Sequence, residues 1–356
     1  EVQPPDINAS AYRFEPAAPR AIRYGLGGVK GVGQSAIENV VAAREAGGPF
    51  IDLFDFCERI DRKLINRRTI EALVRAGAFD RLDPDRARLL ANVPQAMEAA
   101  EQKAREQAAG QGGLFDDAFF GGSDEAPARE WLPAERWDDR QRLLEEKGAL
   151  GYFLTGHLFD ACRDEVRRFV KIRIGDLEKI VGKHFGSTPV TVAGIVSGLS
   201  TAMTRRGKMV RVMLDDGTGT EEIAVFPEAW DQYKHLLKED ELVVVQGKLS
   251  KDDYSGGHRL SVERILDLGT ARGENARALQ LTIAGKPDAA RLRELLMPHR
   301  VDGSQGEGCP VEIHYYSDSA TAVLRLGHQW AVRPDDALLA GLKGWLTEAR
   351  VEMRYR

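Results

Sequence analysis

The sequence predicts a multi-domain α+β protein, and three observations carry that expectation. Apolar residues recur with the helical 3.6-residue period from about 21 to 110. The period falls to two between 186 and 269. A β-α-β-β-α-β order then fills 270–356. A chain of 356 residues has room for roughly two to three domains, each able to bury its own core.

Taken in order, residues 1–20 carry Pro4, Pro5, Pro16 and Pro19 and read as an extended leader. The segment 21–110 reads as all-helical. A glycine-rich turn precedes a helix from Gln34 to about Arg44. A second helix runs from Leu64 to Arg75, a turn covers Ala76-Gly77-Ala78-Phe79, and another helix opens at Asp85. Composition changes over 111–139. Between Gly113 and Asp139 eight acids stand against Arg129 and Arg136, so the segment reads as an acidic linker. A helical connector fills 140–185, with helix from Arg140 to about Phe169. Strands are expected over 190–196, 209–214, 222–226, 242–249 and 259–268, with a helix at 227–237 after the third. Three strands, a helix and two strands make the order of a five-stranded oligonucleotide/oligosaccharide-binding barrel, the OB-fold, placed at 186–269. The tail supplies strands over 279–284, 311–316, 321–327 and 351–355 and helices over 287–297 and 335–346, the ferredoxin-like pattern.

Composition excludes several classes. Lys and Arg number 50 against 55 Asp and Glu, a net charge of −5, which excludes a uniformly basic nucleic-acid coat but leaves local basic patches open. No apolar run approaches the ~18 residues of a membrane span. Cys57, Cys162 and Cys309 are scattered and form no CxxC. They predict neither a disulfide framework nor a zinc site, and they fit a reducing cytoplasm. The chain starts at Glu1 with no signal peptide and reads as a piece of something longer. No catalytic residue is expected. The acid pairs Asp116-Asp117 and Asp138-Asp139 fall in the linker, and Asp215-Asp216 and Asp252-Asp253 fall in hairpin turns, where Asp serves the local backbone. There is no HExxH and no GxxxxGK[ST].

The sharpest local signal is Leu26-Gly27-Gly28-Val29-Lys30-Gly31-Val32-Gly33 at a helix start. Gly31 and Gly33 leave backbone amides uncovered, and the helix N-terminus turns its free N–H groups and positive dipole end the same way. A phosphate oxygen fits there, with Val32 anchoring the turn and Lys30 adding charge. This is the helix-hairpin-helix arrangement, which holds nucleic-acid backbone without reading bases. A plain glycine turn between helices is the competing reading. The stretch also matches GxGxxA, but Tyr24-Gly25-Leu26-Gly27-Gly28 is too rich in glycine for the strand a dinucleotide site requires. From Arg59 to Arg88 nine bases outnumber five acids, so a second hairpin with local basicity, including Arg67 and Arg68, favours duplex binding. A solvated helical face is the alternative.

The segments Tyr24 to Gly33, Leu64-Ile65-Asn66-Arg67-Arg68, Leu73 to Asp80 and Gly151-Tyr152-Phe153-Leu154-Thr155-Gly156-His157 together resemble the alpha subunit of bacterial DNA polymerase III, a replicative C-family polymerase. The resemblance runs along essentially the whole chain, in the family's order. It departs at Leu158, where the family usually has Pro. It implies the C-terminal region of that subunit: the end of the fingers at 1–20, a tandem helix-hairpin-helix duplex-DNA-binding domain, a sliding-clamp segment, the barrel, and a terminal domain that binds the tau subunit of the clamp loader. The parent protein resembles a DNA-directed DNA polymerase (a nucleotidyltransferase), whose Mg2+ is expected at an upstream site. No cofactor or metal is expected in this chain.

Gln111-Gly112-Gly113-Leu114-Phe115 resembles the Q-x-x-L-F peptides that bind sliding clamps. Leu114 and Phe115 suit an apolar pocket, while the Gln111 amide gives direction. Phe119-Phe120 is a competing apolar pair. In the barrel, Arg205, Arg206 and Lys208 occupy the first inter-strand loop, followed by Arg211, where such barrels meet single strands. The barrel is nevertheless acidic overall, and Phe226, Trp230, Tyr233 and Tyr254 are its only aromatic residues. Single-strand binding is therefore expected to be weak, or replaced by protein contacts. The different-class alternative for the whole chain is an adaptor whose hairpins and barrel are scaffold.

Overall fold

The computed structural model describes residues 1–108, 130–181, 186–204, 207–252, 257–285, 288–301, 308–317, 320–347 and 350–356, with backbone alone at 204, 207 and 208. The chain divides into two units, Glu1–His157 and Leu158–Arg356.

In the first unit the expected leader is woven into the domain. Strands β1 (Val2–Gln3), β2 (Glu15–Ala18) and β3 (Ala21–Arg23) form a small sheet of order β1-β3-β2. Ile7 is wholly buried and donates its amide to Ala78 O at 2.7 Å. Arg44 donates to the carbonyls of Ile7 and Ser10. Helices α1 (Gln34–Gly47), α2 (Leu53–Arg59), α3 (Arg67–Arg75) and α4 (Arg86–Ala108) follow, and α5 (Asp139–Leu150) returns to them. Their shared core includes Ile37, Phe50, Phe56, Ile65, Leu73 and Phe79. Phe56 meets Phe50 and Phe79 edge-on, each at 5.0 Å between ring centres.

Two expectations are corrected here. The described end of the linker is docked, not free: Trp131 packs edge-on against Phe54, and Asn92 exchanges hydrogen bonds with the Leu132 backbone. The single connector helix is broken. Gly151 takes φ +97° and ends α5, so the next helix, α6 (Asp160–Phe169), is separate and belongs to the second unit.

After α6, the second unit adds α7 (Leu177–Val181) and the barrel strands β4 (Thr188–Thr204), β5 (Gly207–Asp215), β6 (Thr220–Val225), β7 (Leu242–Lys251) and β8 (His258–Leu266), with α8 (Pro227–Tyr233) after the third strand. The order is β6-β5-β4-β7-β8. The long β4 pairs with β5 at one end and β7 at the other, through a bulge at Val196/Gly198. Val192, Val196, Val212, Ile223 and Val245 alternate inward and fill the interior. His258 on β8 meets Glu221 on β6 at 2.8 Å, joining the two end strands by a side-chain pair.

An unexpected helix, α9 (Leu268–Asn275), follows, capped by Asp267, which accepts from the Thr270 amide. The tail then shows the expected order: β9 (Ala276–Ala284), α10 (Ala289–Leu296), β10 (Val311–Tyr316), β11 (Thr321–Arg325), α11 (Asp336–Leu346) and β12 (Val351–Tyr355). Its pairing is simpler than the ferredoxin-like one. The sheet runs β11-β10-β9-β12, so β9 and β10 are adjacent parallel partners and the β-α-β unit is not split by another strand.

Candidate nucleic-acid interface

The glycine hairpin has the predicted form. A 3₁₀ turn at Leu26–Gly28 leads to Lys30, and Gly33 takes the N-cap position of α1 with extended backbone. Val32 is buried, while Lys30, Gly31 and Gly33 are exposed. Gly31 has φ +78°, a conformation that L side chains avoid, and a Cβ on Gly31 or Gly33 would meet only open space. No side chain caps α1. Among the described residues no acceptor meets the amides of Gly31, Gly33, Gln34 or Ser35, and no carboxylate pairs with Lys30. The result is an uncapped, solvent-facing helix N-terminus beside a cation, which favours an anion.

The hairpin is braced from one side. The Lys30 amide donates to Ala149 O at 2.8 Å, at the end of α5. Tyr24 donates to Gly28 O at 3.1 Å, and its ring centre lies 6.3 Å from that of Tyr152; burial, reinforced by the nearby Tyr152, pushes the Tyr24 phenol up to about 12.

The second hairpin is displaced from its expected place. The turn at Ala76-Gly77-Ala78-Phe79 is closed: a Cβ on Gly77 would lie 2.2 Å from the Arg86 guanidinium. The better counterpart of the glycine hairpin is the α2–α3 turn. There Ile65 is buried like Val32, and Asn66 occupies the N-cap and accepts from the Thr69 amide. Arg67 and Arg68 lie in the first turn of α3 and are exposed; Arg67 bonds Glu71 at 2.6 Å. A buried apolar residue followed by an N-cap residue and a helix is the sequence signal that marks this turn.

The local excess of bases is largely used internally. Arg59, Arg67, Arg75, Arg81, Arg86 and Arg88 are in ion pairs with Asp55, Glu71, Glu145, Asp6, Asp80, Glu146 and Asp83. Among the described residues Arg62, Lys63 and Arg68 have no such partner.

Two of the segments that carried the resemblance, Leu73 to Asp80 and Gly151 to His157, meet at one buried knot. Arg86, 2% exposed, donates two hydrogen bonds to Asp80 and lies 3.4 Å from Glu146, which is fully buried. Glu146 also accepts from the Leu154 and Thr155 amides and the Thr155 hydroxyl. These residues tie α4 to α5 and to the loop after it, so they are structural.

In the barrel, Arg205 and Arg206 lie outside the described residues, and Lys208 is placed by its backbone alone on β5. Arg211 is half-exposed and faces Glu222 at 3.7 Å. Trp230 and Tyr233 pack on the barrel core, so neither is a free stacking platform. The clamp segment Gln111, Leu114 and Phe115 also lies outside the described residues, as do Phe119, Phe120 and Tyr254. Asp215 and Asp216 bond the turn amides of Gly217 and Thr218. Among the described residues no group of three His, Cys, Asp or Glu side chains could hold a metal, and no helix is long and apolar enough to cross a membrane.

A helix-hairpin-helix unit followed by an OB barrel is the make-up of a nucleic-acid-binding protein, and family profiles agree. The helix-hairpin-helix motif matches residues 1–89, so the motif includes the first twenty residues. The OB-fold nucleic acid binding domain matches 190–268, and the C-terminal domain of DNA polymerase III subunit alpha matches 291–346. The chain is homologous over its whole length to the C-terminal region of the bacterial DNA polymerase III alpha subunit. It is 38% identical over 360 residues to that subunit of Neisseria meningitidis serogroup B and 36% identical over 362 residues to that of Escherichia coli K12, covering 100% of this chain in each case. The Pseudomonas aeruginosa subunit is 39% identical over 372 residues, covering 99% of this chain. The chain spans 30–31% of the length of these relatives.

Proposed function

We propose that this chain is a non-catalytic holding and docking region of a replicative DNA polymerase. In this reading the Lys30–Gly33 hairpin grips the backbone of duplex DNA, with Arg67 and Arg68 adding contacts from the second hairpin. The observation that carries it is the exposed, uncapped N-terminus of α1 beside an unpaired Lys30. Bare amides and one cation suit a phosphate and discriminate no base. The names of the relatives support DNA as the ligand. Sequence and resemblance support three further roles: Gln111, Leu114 and Phe115 bind the sliding clamp, the terminal domain binds the tau subunit, and Arg205, Arg206 and Lys208 meet single-stranded template. Nucleotidyl transfer and its Mg2+ belong, on this reading, to parts of such polymerases that this chain does not contain.

The adaptor reading has one observation in its favour: most bases of the second hairpin region are in ion pairs. Titration of labelled duplex across a salt series separates the two. Lys30→Glu is expected to weaken binding at least about tenfold and to lower the salt slope by ~0.9 for each phosphate that is no longer neutralised. Unchanged affinity and slope would leave the adaptor.

A further inference from the structure

Gly151 lies far from the glycine hairpin in sequence but against it in space. Its φ of +97° ends α5 in the left-handed conformation. A Cβ there would come within 3.3 Å of Lys30 Cε and 3.5 Å of Nζ, so the Lys30 stem lies directly on the bare Gly151 backbone. Two residues earlier, Ala149 O holds the Lys30 amide. The α5 terminus therefore touches both ends of the Lys30 residue. The dipole at that terminus is negative and favours a cation. Glu146 fixes the loop that follows by accepting from the Leu154 and Thr155 amides.

We infer that the α5 terminus is a positioning element for duplex binding, in which Gly151 seats the Lys30 side chain so that its ammonium stands ready beside the hairpin amides. The inference rests on the proposed grip of the hairpin on DNA. Gly151 touches no phosphate in this arrangement and acts only through Lys30. Glycine suits this end of α5 on two counts: the left-handed φ strains any side chain, and a Cβ would press on Lys30 Cε and shift it off its seat by a few tenths of an ångström.

The test is a double-mutant cycle on the full 356-residue chain, reading duplex affinity and salt slope. Gly151→Ala is expected to weaken binding about fivefold and to lower the salt slope by about one when Lys30 is present. In a Lys30→Gln background the same change is expected to leave both unchanged. Gly151→Asn, whose side chain tolerates the left-handed region, repeats the cycle if the alanine variant melts early. Equal losses in both backgrounds mean that Gly151 only supports the fold, and no loss beside Lys30 means that it does not seat the lysine. Either result overturns the inference. If Lys30→Gln itself changes nothing, the hairpin reading fails first, which is a different outcome.

Discussion

Asp216 serves the local backbone of its hairpin turn and also reaches outside the turn. It is fully buried, accepts from the Ile174 and Thr218 amides and pairs with Arg167 at 2.6 Å. Burial alone would raise its pKa. The hydrogen bonds from Thr218, Ile174 and Arg167 outweigh burial, and the net shift is below the ordinary 3.8. A carboxyl that binds its proton more weakly when folded contributes stability above its unfolded value and loses it as pH falls through the lower folded value. Asp216→Asn is therefore expected to cost about 2 kcal/mol at neutral pH. The gap should shrink towards zero in acid, where the native carboxyl is protonated too. Urea unfolding at pH 7 and below the folded value checks this; an equal gap at both would mean that charge plays no part. The turn itself was legible from Asp215-Asp216-Gly217-Thr218-Gly219, whereas the reach to Arg167, 49 residues away, was not.

At the scale of elements, α1 and α3 start alike and differ in one residue type. Asn66 caps α3 through the Thr69 amide, while Gly33 leaves α1 open. The difference sets stability against binding. Gly33→Asp would cap α1 and place a negative charge at its dipole, stabilising it by about 0.5 kcal/mol. The same carboxylate would stand where a phosphate is proposed, so duplex affinity should fall about tenfold. Gly33→Ser, a neutral cap, should stabilise with a smaller loss of binding. Thermal melts with duplex titrations check the pair, and tighter binding by the aspartate variant would contradict the proposed grip. The open hairpin was readable because Gly31, Val32 and Gly33 mark it locally. The brace from Ala149 and Gly151 was not, because an approach between residues so distant in sequence leaves no periodic trace. Charge counting misled for a related reason: Arg86 counts as a surface base in the sequence but is a buried structural cation.

For the whole molecule the question is where the chain divides. The change of period places a boundary before 186, at the start of the barrel, while the chain divides into its two units at 157/158. Residues before 186 belong to the barrel's unit on two grounds: Ile174 and Leu177 are buried in the barrel core, and two arginines bind across the sequence-derived boundary. Arg167 on α6 holds Asp216 in the barrel turn. Arg272 on α9, 6% exposed in its side chain, is gripped by Glu165 of α6 through two hydrogen bonds and by Asp336 of α11, and the Tyr355 hydroxyl bonds the same Glu165. A piece covering 158–356 keeps every partner. A piece covering 186–356 loses the core residues Ile174 and Leu177 along with Glu165 and Arg167, leaving a hole in the barrel core, one buried guanidinium short of charge and one buried carboxylate without its cation. Breaking a buried pair from one side costs about 3–5 kcal/mol. The longer piece should therefore unfold at a clearly higher urea concentration than the shorter one. Glu165→Gln in the longer piece should reproduce part of the difference, since it weakens the same grip. Matching midpoints for 158–356 and 186–356 would show that α6 is a passive connector and that the barrel and terminal sheet stand without it.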